Sequence, residues 1–302
     1  MSDQLYKTPT HFILELIQNA DDNSYAPNVT PTLNLSLYEK EDRTVFRADS
    51  NEVGFTFKQL DALTLAGQST KKAIVDRQKG YIGEKGIGFK SVFKVADVVQ
   101  VASGYYEFKL DRATPIGMIL PVPTEFPPSD RVARHTQFLL WLKGKEDGDN
   151  IHRDLEHIEP QLLLFLRKLR ELRVSNMGTD SIYRLEAIRS DADYGGETAT
   201  ILRSRSDSEV AESSKYLILR HTVKGLPKES RREGVSVSEV VVAFAVRDEG
   251  SPNTETQKVF AFLPVGNYGF RVRSYPTTFV APLLVALLTG VHSSSCMQIS
   301  CL

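Results

Sequence analysis

Two short segments, separated by sixty residues, limit what this chain can fold into more than anything else in it. The first is Glu15-Leu16-Ile17-Gln18-Asn19-Ala20-Asp21-Asp22, and the second is Gly83-Glu84-Lys85-Gly86-Ile87-Gly88-Phe89-Lys90-Ser91. In the first, a carboxylate and a carboxamide stand four residues apart in an apolar run, which on a helix stacks them on one face. The second is a glycine-rich turn leading into a helix-compatible stretch, where unpaired backbone N–H groups can receive phosphates. An acid, a metal-ligand amide and a phosphate cradle are the parts needed to bind and hydrolyse a nucleoside triphosphate.

Each part has its own chemistry. Glu15 is the candidate general base, because an attacking water needs a carboxylate within hydrogen-bond reach. Asn19, one turn on, offers a side-chain oxygen to Mg²⁺, a cation that takes oxygen donors and fills its remaining sites with water and phosphate. Asp22, seven residues after Glu15, shares the same face and could orient a metal-bound water or the ribose; a helix-end role before Asn23-Ser24 is an equal reading. The glycines are neither a dinucleotide fingerprint nor a P-loop. Their order is Gly83-x-x-Gly86-x-Gly88, and Phe89 stands where a P-loop requires lysine.

Together these segments resemble the GHKL superfamily of ATPases, which spans Hsp90-type chaperones, type II topoisomerase ATPase subunits, MutL and histidine kinases. Within it, ELIQNADD and GEKGIGFKSVFKVAD are most similar to the Hsp90-like ATPase regions of the sacsin and NO VEIN-like proteins of plants and fungi. The resemblance covers residues 5 to 145 and continues weakly to about 270. It implies an α+β fold: a Bergerat-type two-layer α/β sandwich with a mixed, mainly antiparallel sheet and helices on one face, followed by a β-rich second region. It further implies ATP and Mg²⁺ as cofactors, Glu15 as catalytic glutamate and Asn19 as the magnesium-binding residue. Gly83, Gly86, Ile87, Gly88 and Phe89 correspond to the second glycine box. Ser69, Thr70 and Lys71 fall in the segment corresponding to a mobile lid, and Thr136 to a strand threonine that supports the adenine site.

The first glycine box departs from the family pattern D-x-G-x-G. With Gly54 as its second glycine, Glu52 takes the place of the first and Ser50 that of the aspartate. Asp49 lies one residue early. A bulge in the turn would bring it to the adenine amino group, and Asp49 is favoured over Ser50 on that basis.

Apolar and turn residues organise the rest of the chain. Helices are expected at 12–19, 55–65 (with Thr56 as N-cap) and 151–172. Strands are expected at 32–37, 44–47, 98–102, 106–110, 117–120, 137–142, 182–185, 198–202, 216–222, 240–246 and 258–263, with 204–214 as a polar linker. The domains drawn from this are 1–148 for ATP binding, 149–175 as a connecting helix and 176–271 as a β-rich domain. Residues 272–302 form an atypical apolar tail, read as a frame change or alternative end, and the N-terminus reads as trimmed.

Composition narrows the remaining classes. A formal net charge of −1 argues against a nucleic-acid partner and so against a MutL-like or topoisomerase-like DNA-processing role. Two cysteines, both in the last seven residues, make no disulfide framework, and no signal peptide precedes them, so an intracellular address in cytoplasm or nucleus is expected. Phe279 to Leu288 is too short to cross a bilayer. The expectation is an ATPase of low turnover, coupled to protein clients or a homodimer. A nucleotide-dependent interaction module that scarcely hydrolyses ATP is the alternative.

Overall fold

The structure, a computed structural model, describes residues 12–64, 89–114, 116–186, 188–191, 196–224, 237–246, 256–261 and 263–271. The chain divides into two compact units, Met1–Arg184 with Arg203–Ala211, and Leu185–Leu202 with Glu212–Leu302.

The first unit is built on a mixed, mostly antiparallel sheet with few helices. Its strands are β1 (Thr32–Lys40), β2 (Arg43–Ser50), β3 (Ala96–Ser103), β4 (Tyr106–Asp111), β5 (Val122–Pro123), β6 (Thr136–Leu142), β7 (Glu171–Asn176) and β8 (Thr179–Leu185). They lie in the order β8-β7-β1-β2-β6-β3-β4-β5. Only β1 and β7 run parallel, with Leu33 opposite Leu172. Positive φ at both Glu41 and Asp42 closes β1 onto β2, and the same geometry at Met177 and Gly178 closes β7 onto β8. Such turns match the right-handed twist of the strands they join.

Alternation along the strands sorts the core. Leu33, Leu35 and Leu37 of β1 lie opposite Ser50, Ala48 and Phe46 of β2, so these residues share one side of the sheet. Helix α1 (Phe12–Asp22) packs there, with the Phe12 and Phe46 rings edge to face at 5.3 Å. Behind the sheet, Val45, Ala102, Phe126 and Leu139 form a second cluster, flanked by Tyr38 and Trp141.

Helix α2 (Phe57–Thr64) starts where its cap predicts. The Thr56 hydroxyl accepts from Gln59 N–H at 3.3 Å, and Gln59 Oε1 accepts from Thr56 N–H at 2.8 Å, a reciprocal capping box.

Three expected elements differ. The helix at 151–172 is instead α3 (Lys145–Glu156), a 3₁₀ turn at Pro160–Leu164 and then strand β7. Pro160 lacks the N–H that would carry the helix through. Residues 171–175, placed in the connecting helix, and residue 176, placed in the second domain, are therefore sheet residues of the first unit. Residues 117–120 form no strand: Ile119 and Leu120 both donate to Ile116 O at 2.8 Å, which spends on a local turn the groups a ladder would use.

The linker expected at 204–214 is also structured. Strand β9 (Arg189–Asp191) is followed by β10 (Gly196–Arg205), and only two residues separate its end from the start of β11 (Ser208–Lys224). These strand ends are exposed on both faces, so no apolar alternation marks them.

In the second unit, β10 pairs with β9. Strand β11 pairs with β12 (Val237–Val246), with Leu217 opposite Phe244. Strands β13 (Thr256–Ala261) and β14 (Leu263–Arg271) form a separate hairpin interrupted by register shifts. The tail assigned to 272–302 lies outside the described residues. Among those described, no helix is long and apolar enough to cross a membrane.

Candidate functional site

Helix α1 carries the first candidates. Phe12, Ile13, Leu16, Ile17 and Ala20 are buried, while Glu15 and Asn19 are half-buried and follow one another along a single stripe. The apolar spacing that docks the helix thus leaves its acid and its amide at the rim. Two further aspartates end the helix, and both are structural anchors. Asp21 is fully buried and accepts from three backbone N–H groups, those of Arg167 at 3.0 Å, Lys168 at 2.7 Å and Leu169 at 2.9 Å. Asp22, a sequence candidate for the nucleotide, is buried and paired with Arg167 Nη2 at 2.8 Å. Its Oδ1 thereby ties the helix end to the segment leading into β7.

Phe89 arrives beside this helix. It opens the 3₁₀ turn Phe89–Lys94, which packs against α1, and its ring stacks at a tilt on Phe138 of β6 at 5.2 Å. Ser69, Thr70, Lys71, Gly83, Gly86, Ile87 and Gly88 lie outside the described residues.

The turn after β2 supplies the polar part of the site. Ser50 is opposite Thr136 in the β2–β6 ladder, on the same side as Phe46 and Phe138. Thr136 Oγ1 and Ser103 Oγ are 2.6 Å apart, and Ser103 Oγ accepts from Phe55 N–H at 2.8 Å. Tyr25 donates its phenol to Ala20 O at 2.8 Å and lies 3.1 Å from Ser50 Oγ. Burial pushes the Tyr25 phenol above its ordinary range. Gly54 makes the turn possible. Its φ is +93°, and a Cβ there would stand 3.0 Å from the Gly104 nitrogen.

Glu52 is the residue the sequence did not single out for a role. Its side chain is 4% exposed, and its Oε1 has no hydrogen-bond partner. Burial raises its ionisation to about 7, against the Thr136 and Asn23 side chains, which lie on the carboxyl and favour the charged form. The available signal was its position: a charged residue where the family pattern calls for the first glycine.

Asp49 requires a correction. The bulge expected to turn it toward the site is absent, since Val45 to Ser50 pair without interruption against Trp141 to Thr136. Strand alternation then puts Asp49 on the opposite side of the sheet from Ser50 and α1. There Arg47 Nε donates to its Oδ2 at 2.8 Å, and Gln137 Nε2 donates to Oδ1. Burial raises the Asp49 pKa, with Arg47 and Gln137 opposing. Asp130 sits in the same network, accepting from Tyr38 at 2.6 Å and also bonded by Lys40 and Arg47. Burial opposes its ionisation, but Lys40 and Tyr38 outweigh that and lower its pKa.

The donor set can be tested against a nucleotide. The α1 side of the sheet offers two half-buried oxygen-bearing side chains in line, and a buried carboxylate oxygen with no donor of its own. Among the described residues, no group of three or more His, Cys, Asp or Glu side chains gathers to hold a metal. The side chains of Glu15 and Asn19 carry oxygen donors of the kind Mg²⁺ accepts.

Fold and site together define a chain with a mixed, mostly antiparallel sheet, an acid–amide helix docked on it and a hydroxyl–carboxyl turn at the strand ends. No family model matches the chain. Over 298 residues it is 33% identical to Protein NO VEIN of Arabidopsis thaliana, an alignment that takes in 90% of this chain and 10% of that protein. The chain therefore spans about a tenth of the length of the curated relative it matches.

Proposed function

We propose that this chain is a Mg²⁺-dependent ATP-binding region of the Hsp90-like, GHKL type, with a Bergerat-type sandwich as its fold and slow ATP hydrolysis as its activity. The observation that carries this reading is the stripe on α1. Glu15 and Asn19 follow one turn apart, half-buried, on a helix whose Phe12, Ile13, Leu16, Ile17 and Ala20 are in the core. The 3₁₀ turn that follows the glycine segment packs on that same helix.

In this reading Glu15 accepts a proton from the attacking water, and Asn19 gives its side-chain oxygen to Mg²⁺. Bound Mg²⁺ would neutralise charge on the phosphates. Gly83, Gly86, Ile87 and Gly88 would present backbone N–H groups to the phosphates, and Ser69, Thr70 and Lys71 would belong to the closing segment. Nucleotide-driven closure would then act on protein clients or on a second copy, in an intracellular, chaperone-like or conformational-switch role.

A binding module without turnover is the second reading, favoured by Glu52 in place of the first glycine.

Calorimetry with ATP and ADP, with and without Mg²⁺, on this chain and on Asn19→Ala, tests the binding; phosphate release from Glu15→Ala tests the chemistry. The ATPase reading expects Mg²⁺-dependent binding that Asn19→Ala loses, and turnover that Glu15→Ala loses while binding is kept. Binding without turnover in the parent chain selects the module. No binding by the folded chain overturns both.

A further inference from the structure

At the β5 edge of the first unit's sheet, the chain between β4 and β5 puts apolar side chains into water. Ile116, Met118, Ile119, Leu120 and Val122 are each at least 38% exposed. Single exposed apolar residues are ordinary on a protein surface. Five within seven positions form a patch, and such patches mark contact with a partner or a membrane.

The backbone of this turn bonds within the chain. Ile119 N–H and Leu120 N–H both donate to Ile116 O at 2.8 Å, Gly117 N–H donates to Thr114 O at 3.1 Å, and Gly117 O accepts from Asp111 N–H at 3.0 Å. Met118 O accepts from Lys90 Nζ. Val122 lies opposite Lys109 in the β4–β5 ladder, and Pro121 and Pro123 have no N–H to satisfy. Backbone groups paired in this way leave water at small cost, which is the condition for entering the edge of a hydrocarbon layer. A protein interface does not impose it, because the partner can supply the missing bonds.

Cations stand beside the turn. Lys143 Nζ donates to Phe93 O at 2.8 Å and to Lys94 O at 2.7 Å, and Arg112 Nη1 lies 3.5 Å from Phe93 O. These side chains thus gather with Lys94 at the end of the 3₁₀ turn whose Lys90 holds Met118. Lys94, Arg112 and Lys143 are exposed. Asp147 acts on Lys143, but the sequence from Arg112 to Thr124 contains no acid.

We propose that the segment from Ile116 to Val122, with Lys90, Lys94, Arg112 and Lys143, is a peripheral docking surface for an anionic lipid bilayer. The apolar side chains enter the headgroup boundary, which closes around an exposed tip, and the cations meet the charged headgroups. This inference is independent of the ATP reading.

Sedimentation of the full chain with vesicles of phosphatidylcholine and phosphatidylserine in equal parts, and with phosphatidylcholine alone, tests it. The parent chain is expected to sediment with the mixed vesicles, far less with the neutral ones, and less as salt is added. Lys94→Gln should weaken binding to the mixed vesicles about fivefold. Ile119→Ser combined with Leu120→Ser should weaken it about tenfold or more, with the urea midpoint unchanged because both side chains already face water. Leu120→Trp, which stays apolar, should bind as the parent does and shift its fluorescence to shorter wavelength on the mixed vesicles. No sedimentation of the parent chain with the mixed vesicles would overturn the inference. So would full binding by the double serine variant, which marks attraction of charge alone, or an unshifted Leu120→Trp spectrum. Self-association that the serine changes abolish, without vesicle binding, would assign the patch to a second copy and overturn it likewise.

Discussion

Asp49 and Ser50 are neighbours in the chain and stand on opposite sides of the sheet. Ser50 faces Thr136 and Tyr25 beside the α1 side, whereas Asp49 is held by Arg47 and Gln137 behind it. A one-residue difference in a strand reverses the face of a side chain. The two therefore respond to different changes: Asp49→Asn should disturb the Arg47–Gln137 network and lower stability, with little effect on any ligand bound beside α1. Thermal melting and nucleotide calorimetry on the same variant separate the two effects.

Asp21 joins the end of α1 to the segment before β7 by accepting three backbone N–H groups. Asp21→Ala leaves the buried Leu169 N–H and the partly buried Arg167 and Lys168 N–H groups without their acceptor, and a loss of about 2–3 kcal/mol is expected. Asp21→Asn keeps one oxygen and should lose less. Urea unfolding checks this, with the midpoint moving and the slope unchanged.

Gly54→Ala places a Cβ 3.0 Å from the Gly104 nitrogen on a backbone with φ of +93°. The strain should cost about 1–3 kcal/mol. Because Phe55 N–H is held by Ser103, which in turn touches Thr136, the change should also loosen that hydroxyl pair. Faster amide exchange at Phe55 than at residues of β2 would report it.

The legible parts of the fold were those whose residues obey one rule locally. Phe12, Leu16 and Ala20 recur at helical spacing and are buried on α1; Leu33, Leu35 and Leu37 alternate and are buried on β1. Thr56 and Gln59 spell out a capping box. Strand β7 was hidden because Leu166, Leu169 and Leu172 prolong the helical spacing of α3, while its parallel partner β1 is more than a hundred residues away in sequence. Within the candidate site, the pairing of Glu15 with Asn19 was readable from spacing. The side taken by Asp49 was not, because it depends on an unbroken register with β6, and the burial of Glu52 depends on a turn whose hydroxyl neighbours come from three separate segments.

Glu171 gives the first unit a response to acid. Burial works against its charge, but hydrogen bonds from Arg184 and Arg173, both at 2.6 Å, outweigh this and hold its pKa below the ordinary 4.5. Its stabilising contribution is thus present above the unfolded value and is lost as pH falls through the lower folded one. Glu171→Gln should flatten the acid limb of the stability–pH curve below about pH 4.5. Denaturant midpoints at stepped pH would show the two curves converging in acid.

Glu52 responds in the opposite sense. Its folded value, about 7, lies above the ordinary 4.5, so between these values the folded chain holds more protons than the unfolded one. Stability contributed at this site must then fall as pH rises through that window, because ionisation there works against burial. Glu52→Gln, which keeps the shape and cannot ionise, should match the parent chain near pH 4.5 and exceed it at pH 8. A shift of this size sets the gain at roughly 3 kcal/mol at most, since each pKa unit is about 1.4 kcal/mol. Melting temperatures of the two proteins across this range decide it: a gap widening with pH is expected, and a constant gap would mean that the carboxyl is ionised alike in folded and unfolded chains.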